Sequence, residues 1–263
     1  MLYEDQAARF DERAGVPPAA ADAAARALYA LAGLREGDAL LEVGAGTGSL
    51  SLPLLRLPLR YVGFDRSPAM LDEFRRRVAD SGSTAELHVA DGDERWPVDD
   101  GSVAAVFGAR ALHHLSADHV VAETMRVLRA PGGVLALGRV RRPPDSVKST
   151  LRRRMRRTLE EQGFHGRNHE AGAEAVFTAL EQRGGVRIPP VTAARWTHTH
   201  RPADSLASWA GKTGLAGMEV PADVKARVLA EVRAWALAHY GDLDAPLPQD
   251  EAFEIAAIRV PVA

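Results

Sequence analysis

Three glycines at alternate positions follow an acidic residue in Leu40-Leu41-Glu42-Val43-Gly44-Ala45-Gly46-Thr47-Gly48. Glycine has no Cβ, so such a turn bends sharply and lets a ligand come close to the backbone. The apolar run ahead of it reads as a buried parallel strand. A strand ending in a glycine turn with a helix behind it is the nucleotide-binding crevice of a doubly wound α/β sheet. A second apolar run, Tyr61-Val62-Gly63-Phe64-Asp65, also ends in a carboxylate, which can accept from both hydroxyls of a ribose. Together these residues imply an adenosine-containing cofactor.

Spacing and charge narrow the choice. The dinucleotide fingerprint is G-x-G-x-x-G, and here Ser49 stands where its third glycine belongs. Glu42 puts a negative charge beside the turn, unfavourable for a pyrophosphate and favourable for a cationic ligand. S-adenosylmethionine carries a sulfonium and an ammonium and no phosphate, so the charge pattern favours it. A nicotinamide-dependent oxidoreductase is the competing enzyme class, because it too uses a glycine turn and an acid some 20 positions further on.

Further segments occur in a fixed order. Ser67-Pro68-Ala69-Met70-Leu71 follows Asp65, and then come Ala90-Asp91-Gly92 and Trp96-Pro97-Val98-Asp99-Asp100-Gly101-Ser102. Leu112-His113-His114-Leu115 and Arg126-Val127-Leu128-Arg129-Ala130-Pro131-Gly132-Gly133 complete the set. Over residues 38–140 the chain resembles the class I S-adenosylmethionine-dependent methyltransferases, especially the branch like the ubiquinone/menaquinone biosynthesis enzymes. The resemblance implies a Rossmann-like α/β fold, a seven-stranded mostly parallel sheet with helical lid insertions. It implies S-adenosyl-L-methionine as cofactor, held by Glu42, Gly44, Ala45, Gly46, Asp65, Arg66, Met70, Asp91, Gly92 and Ala109. Within that set Asp91 and Gly92 serve the adenine, and Glu42 anchors the loop or the methionine end. The chain departs from the family at strand four, where Val103-Ala104-Ala105-Val106-Phe107 lacks the usual early Asp. That departure keeps open a non-catalytic cofactor-binding regulator of the same fold.

His113 and His114 fall just beyond strand four, at the carboxyl edge where ligands bind. A histidine there can take a proton from an acceptor near neutral pH, so both are candidate catalytic residues. The alternative is a ring packed in the loop and bonded to backbone. Arg110 and Arg139 could meet an acidic substrate, and a surface ion pair explains them equally. His198 and His200 share a strand face, and His165 and His169 are four apart. Neither pair has a carboxylate completing a metal set, so no metal is expected. The Arg152-Arg153-Arg154-Met155-Arg156-Arg157 run could suggest RNA, but Leu151, Met155 and Leu159 form an apolar stripe. Glu160 and Glu161 can pair with the arginines, so a solvated helix face is expected and not a nucleic-acid site. Trp196, Trp209, Trp235 and Tyr240 suit either an acceptor pocket or core packing.

The elements that must hold these residues alternate between strands and helices. Helices are expected at 17–32, at 48–57, from a cap at Ser67, from a cap at Ser116 to the stop at Pro131-Gly132-Gly133, at 146–162, from Asn168 to Gly184-Gly185, at 203–214 and at 221–240. Strands are expected at 39–43, 60–65, 85–90, 103–108, 134–140, 186–200 and 253–260. This alternation is that of a parallel α/β sheet. The expected organisation is one methyltransferase domain over 1–263. Its core takes about 33–142, 168–200 and 251–263, with lid or substrate segments at about 1–30, 143–167 and 201–250. The 263 residues carry 46% hydrophobic and 26% charged side chains and a net charge of −2, which gives no electrostatic footprint for nucleic acid or an anionic membrane. The absence of cysteine excludes disulfides, thiolate metal sites and a Cys nucleophile. The acidic start, with no signal-peptide pattern and no membrane-spanning run, sets the expectation of a cytoplasmic protein acting on a small molecule.

Overall fold

The computed structural model describes residues 16–109, 111–112, 115–165 and 169–261. Its strands are β1 (Ala39–Val43), β2 (Arg60–Asp65), β3 (Glu86–Val89), β4 (Ala105–Ala109), β5 (Val134–Arg141), β6 (Val186–His200) and β7 (Leu247–Arg259). They form one sheet in the order β3-β2-β1-β4-β5-β7-β6. The pairings β3-β2, β2-β1, β1-β4 and β4-β5 are all parallel. The order reverses beside β1, which lies between β2 and β4. The switch point where open α/β sheets bind ligands is therefore at the carboxyl end of β1.

The helices are α1 (Pro18–Ala32), α2 (Pro68–Ser81), α3 (Ala117–Val127), α4 (Val147–Glu161), α5 (His169–Glu181), α6 (Pro202–Ala210) and α7 (Ala222–Tyr240). Proline near the amino end and a left-handed Gly33 just past the carboxyl end bound α1, as the sequence predicts. Ser67 caps α2 by accepting the Met70 N–H at 3.4 Å.

Two local expectations are corrected. The helix expected at 48–57 is a run of turns with a 3₁₀ turn only at Leu54–Arg56. Pro53 lacks the N–H that an α-helix through this segment would need at its middle. The spacing of Val121, Met125 and Leu128 predicts a buried stripe on α3, yet Met125 is 37% exposed, and Val120, Thr124 and Val127 turn inward beside Val121 and Leu128.

The described chain falls into two compact units. The first holds the residues up to Val140 together with His169–Ala194 and the chain from Phe253 onward. Its core packs Leu41, Val43, Val62, Phe64, Val106 and Leu135 of the strands with Val121 and Val127 of α3 and Phe177 and Leu180 of α5. The second holds Arg141–Asn168 and Arg195–Ala252. Its separate core joins Leu151, Met155 and Leu159 of α4 to Val224, Val228, Val232 and Ala236 of α7 and Leu206 of α6. The basic run on α4 thus has the expected apolar stripe on its buried side, and Arg157 pairs with Glu161 at 3.0 Å.

Candidate cofactor site

The glycine turn begins where β1 ends. The N–H groups of Gly44 and Ala45 both donate to the Phe64 carbonyl of β2, each at 2.9 Å. Gly44, Gly46 and Gly48 all have positive φ, a region costly for residues with a Cβ. Their surroundings differ. A Cβ on Gly44 would meet Ala111 at 2.2 Å, and one on Gly48 would meet the Phe74 ring at 2.2 Å. A Cβ on Gly46 would meet nothing within 4 Å. Gly44 and Gly48 therefore serve packing, while Gly46 faces open space with its backbone accessible.

Asp65 ties this turn to the next one. Its Oδ2 accepts the Gly46 N–H at 3.0 Å and its Oδ1 accepts the Ser67 N–H at 2.9 Å. Burial raises the Asp65 carboxyl above its usual value, and the two backbone bonds and Arg66 pull it back down. A carboxylate has about four lone-pair positions, so two remain for further donors. Arg66 is exposed beside it, and Met70 is buried at 3% exposure on α2.

Glu42 lies beneath the turn. It is paired in register with Gly63, and its Oε2 accepts from Ser51 Oγ at 2.5 Å and Tyr61 Oη at 2.6 Å. Gly63 makes room for this arrangement, since a Cβ there would come within 2.7 Å of the Tyr61 hydroxyl. Complete burial pushes the Glu42 carboxyl up to about 7, and the two hydroxyl donors offset only part of that. The same burial, with Glu42 beside it, holds the Tyr61 hydroxyl well above the usual range. The bonds Glu42 makes are therefore those of a loop anchor, one of the two roles the resemblance implies for it. Reasoning from sequence missed Tyr61 and Ser51. Strand alternation puts Tyr61 on the face of Gly63 and Asp65, but no pattern marks Ser51.

Asp91 and Gly92 follow β3. Asp91 is exposed and its Oδ1 accepts the Asp93 N–H at 3.0 Å. Gly92 is buried, and a Cβ there would meet Leu115 at 2.7 Å. Its carbonyl accepts from Trp96 Nε1 at 3.0 Å. Asp93, not singled out in the sequence, accepts the Ser116 N–H at 2.8 Å and so joins this turn to the start of α3. The Ser116 side chain makes no cap hydrogen bond. Ala109 closes β4 at the same edge of the sheet and is half-buried. Arg110, His113 and His114 lie outside the described residues. Arg139 pairs with Glu254 at 3.6 Å.

Behind the 92–100 turn lies a network the sequence did not reveal. Glu123 accepts the Trp96 N–H at 2.7 Å and pairs with Arg126. Arg126 also donates to the carbonyls of Trp96 at 3.0 Å and Val98 at 2.9 Å. No group of three or more His, Asp or Glu suited to a metal occurs among the described residues. No described helix is long and apolar enough to cross a membrane.

Comparison with known proteins agrees with this layout. The family described as "Methyltransferase domain" matches residues 40–133. An uncharacterized methyltransferase of Mycobacterium tuberculosis is 41% identical over 98 residues, 37% of this chain and 38% of that protein. Demethylmenaquinone methyltransferase of a Parafrankia species is 34% identical over 166 residues, 54% of this chain and 62% of that protein. The matched stretches thus span under two thirds of these relatives' length. A crystal structure of a putative methyltransferase from Bacillus halodurans superposes with a TM-score of 0.58 at 18% identity, over 90% of this chain and 99% of that one. Residues 40–133 match the methyltransferase domain family, and the chain has the fold of that solved methyltransferase.

Proposed function

We propose that the protein is an S-adenosyl-L-methionine-dependent methyltransferase acting on a small molecule. The observation that carries the reading is the half-buried Asp65 carboxylate. It holds the glycine turn and the Ser67 turn with one oxygen each and keeps acceptor positions for two ribose hydroxyls. The open side of Gly46 supports it, because a nucleoside can lie against that backbone without meeting a side chain. The exposed Asp91 retains a carboxylate oxygen for the adenine amino group. When bound, S-adenosylmethionine supplies an electrophilic methyl group on a sulfonium.

The protein's part is to align that methyl with the acceptor at roughly 3–3.5 Å and to keep water out. Where the acceptor keeps a proton, His113 or His114, which follow β4 in the chain, is assigned its removal. The resemblance to demethylmenaquinone methyltransferase supports a small-molecule acceptor. Acceptor choice is assigned to residues outside 40–133, the segment shared with the methyltransferase domain family. The proposal includes a cytoplasmic site of action, in keeping with a chain that has no cysteine.

A cofactor-binding regulator without turnover is the second reading, favoured by the wholly apolar 103–107 stretch. Incubation with labelled S-adenosylmethionine and a metabolite extract separates the two. Acceptor-dependent formation of S-adenosylhomocysteine supports the enzyme, and tight cofactor binding with no turnover supports the regulator.

A further inference from the structure

Glu42 is a carboxyl at 2% exposure with no cation paired to it among the described residues. Its Oε2 takes both hydroxyl donors, Ser51 Oγ at 2.5 Å and Tyr61 Oη at 2.6 Å. Its Oε1 takes no hydrogen bond among the described residues. Around it, β2 brings Tyr61 and Asp65, and the segment after the glycine turn brings Ser51. β4 sets Phe107 opposite Glu42 in register and carries no charged side chain. α2 packs the Phe74 ring edge-on to Tyr61 at 5.8 Å. Asp65, itself an acid, is therefore the one charged side chain acting on Glu42 among the described residues. Buried charges are normally paired, because an isolated one is strongly disfavoured away from water. A carboxyl placed like this either keeps a proton or ionises against a cation that a ligand brings.

Both hydroxyl partners of Glu42 are tied to the glycine turn. The Ser51 N–H donates to the Gly48 carbonyl at 2.9 Å. A Cβ on Gly63 would lie 2.7 Å from the Tyr61 hydroxyl and 3.1 Å from the Ala45 Cβ, so that hydroxyl lies against the turn. Asp65, the group proposed to take the ribose, accepts the Gly46 N–H of the same turn at 3.0 Å.

We propose that Glu42 separates the methyl donor from its demethylated product by exchanging a proton for the donor's positive charge. The exchange rests on the proposed activity, since it needs that donor in the crevice. S-adenosylmethionine carries a sulfonium. Loss of the methyl leaves an uncharged thioether, with the amino and carboxylate groups unchanged. Donor binding therefore favours the ionised carboxyl, and its proton goes to solvent. The product brings no sulfonium, so with it bound the carboxyl takes a proton back from solvent. Burial, with Asp65 adding to it, pushes the free carboxyl up to about 7, which puts the exchange near neutral pH. Ser51 and Tyr61 are positioning residues that ease ionisation by donating to Oε2, and burial keeps the Tyr61 hydroxyl itself protonated.

Calorimetric titration of S-adenosylmethionine and of S-adenosylhomocysteine into the full chain, at about pH 6 and about pH 8, tests this. Donor affinity should rise severalfold between the two, up to about tenfold, the limit for one group with a free value of about 7. Product affinity should stay within about twofold. At about pH 7 donor binding should release about half a proton from Glu42, read by comparing buffers of different ionisation heat. The donor's own amino group titrates with any form of the protein, so the comparison with Glu42→Gln carries the result. That variant keeps an oxygen for both hydroxyls and should lose the rise and the release. Tyr61→Phe takes one donor from Oε2, so the rise should move to higher pH, whereas a purely structural loss would weaken binding equally at every pH. Circular dichroism checks folding, and should Glu42→Gln fail to fold, Tyr61→Phe decides. The same donor pH dependence in the unaltered protein and a folded variant, or a product that follows the donor, would overturn the inference alone. Binding of neither compound would overturn the proposed activity with it.

Discussion

The Asp65 carboxylate lies 3.0 Å from the Gly46 amide nitrogen, 19 residues earlier in the chain, while its other oxygen holds Ser67. One side chain thus fixes the spacing of two turns at the sheet's switch point. Asp65→Asn keeps one accepting oxygen and replaces the other with a donor that faces an N–H. The expected cost is about 1–3 kcal/mol of unfolding free energy, measured by chemical denaturation.

The three glycines of the turn should separate into two kinds. Gly48→Ala meets both a positive φ of 77° and the Phe74 ring at 2.2 Å. It should cost about 2–5 kcal/mol, the sum of left-handed strain and overpacking. Gly46→Ala carries only the first of these, about 1–2 kcal/mol, yet its methyl points into the space proposed for the nucleoside. Thermal melts and cofactor titrations on both variants should therefore rank them in opposite order. Gly48→Ala should be the less stable, and Gly46→Ala should bind the cofactor weakly while still folded.

Glu42 and Glu123 should give pH dependences of opposite sign. Burial raises the Glu42 carboxyl from 4.5 to about 7, so between those values the unfolded chain has lost the proton that the folded one keeps. Stability from this group falls as pH rises through that window, by roughly 3 kcal/mol. Glu42→Gln should flatten the slope in denaturation curves taken at about pH 5 and about pH 8.

Arg126 holds the Glu123 carboxyl below its usual 4.5, aided by the Trp96 N–H. The stabilisation from Glu123 is therefore present above 4.5 and lost as pH falls toward the folded-state value. Arg126→Met removes the pair and two carbonyl contacts to the 92–100 turn. It should cost about 1–3 kcal/mol and make Trp96, now 1% exposed, accessible to fluorescence quenchers.

Much of this was legible in the chain itself. β1 and β2 lie where the apolar runs lie, because parallel strands buried on both faces are mostly apolar, with Glu42 the buried exception in β1. Asp65 and Gly46 could be singled out because a carboxylate after a strand and a glycine in a turn have few other uses there. What stayed hidden depends on contacts between distant positions. Whether Glu42 anchors the loop or faces the methionine end shows only when the register with Gly63 brings Tyr61 against it. Met125 fits a helical stripe but faces outward, because the packed face of α3 is rotated toward Val120, Thr124 and Val127. The 48–57 helix failed on Pro53, whose local effect outweighed the apolar pattern around it. Glu251, which pairs with the sequence-distant Lys148 and Arg142, carries no sequence mark at all.

Calorimetric titration of S-adenosylmethionine into the unaltered protein and into Asp65→Ala bears most directly on the role of this carboxylate. Saturable heat at one site, weakened at least about tenfold by the substitution, is the expected result. No heat with the unaltered protein, or equal affinity in the two, would contradict it.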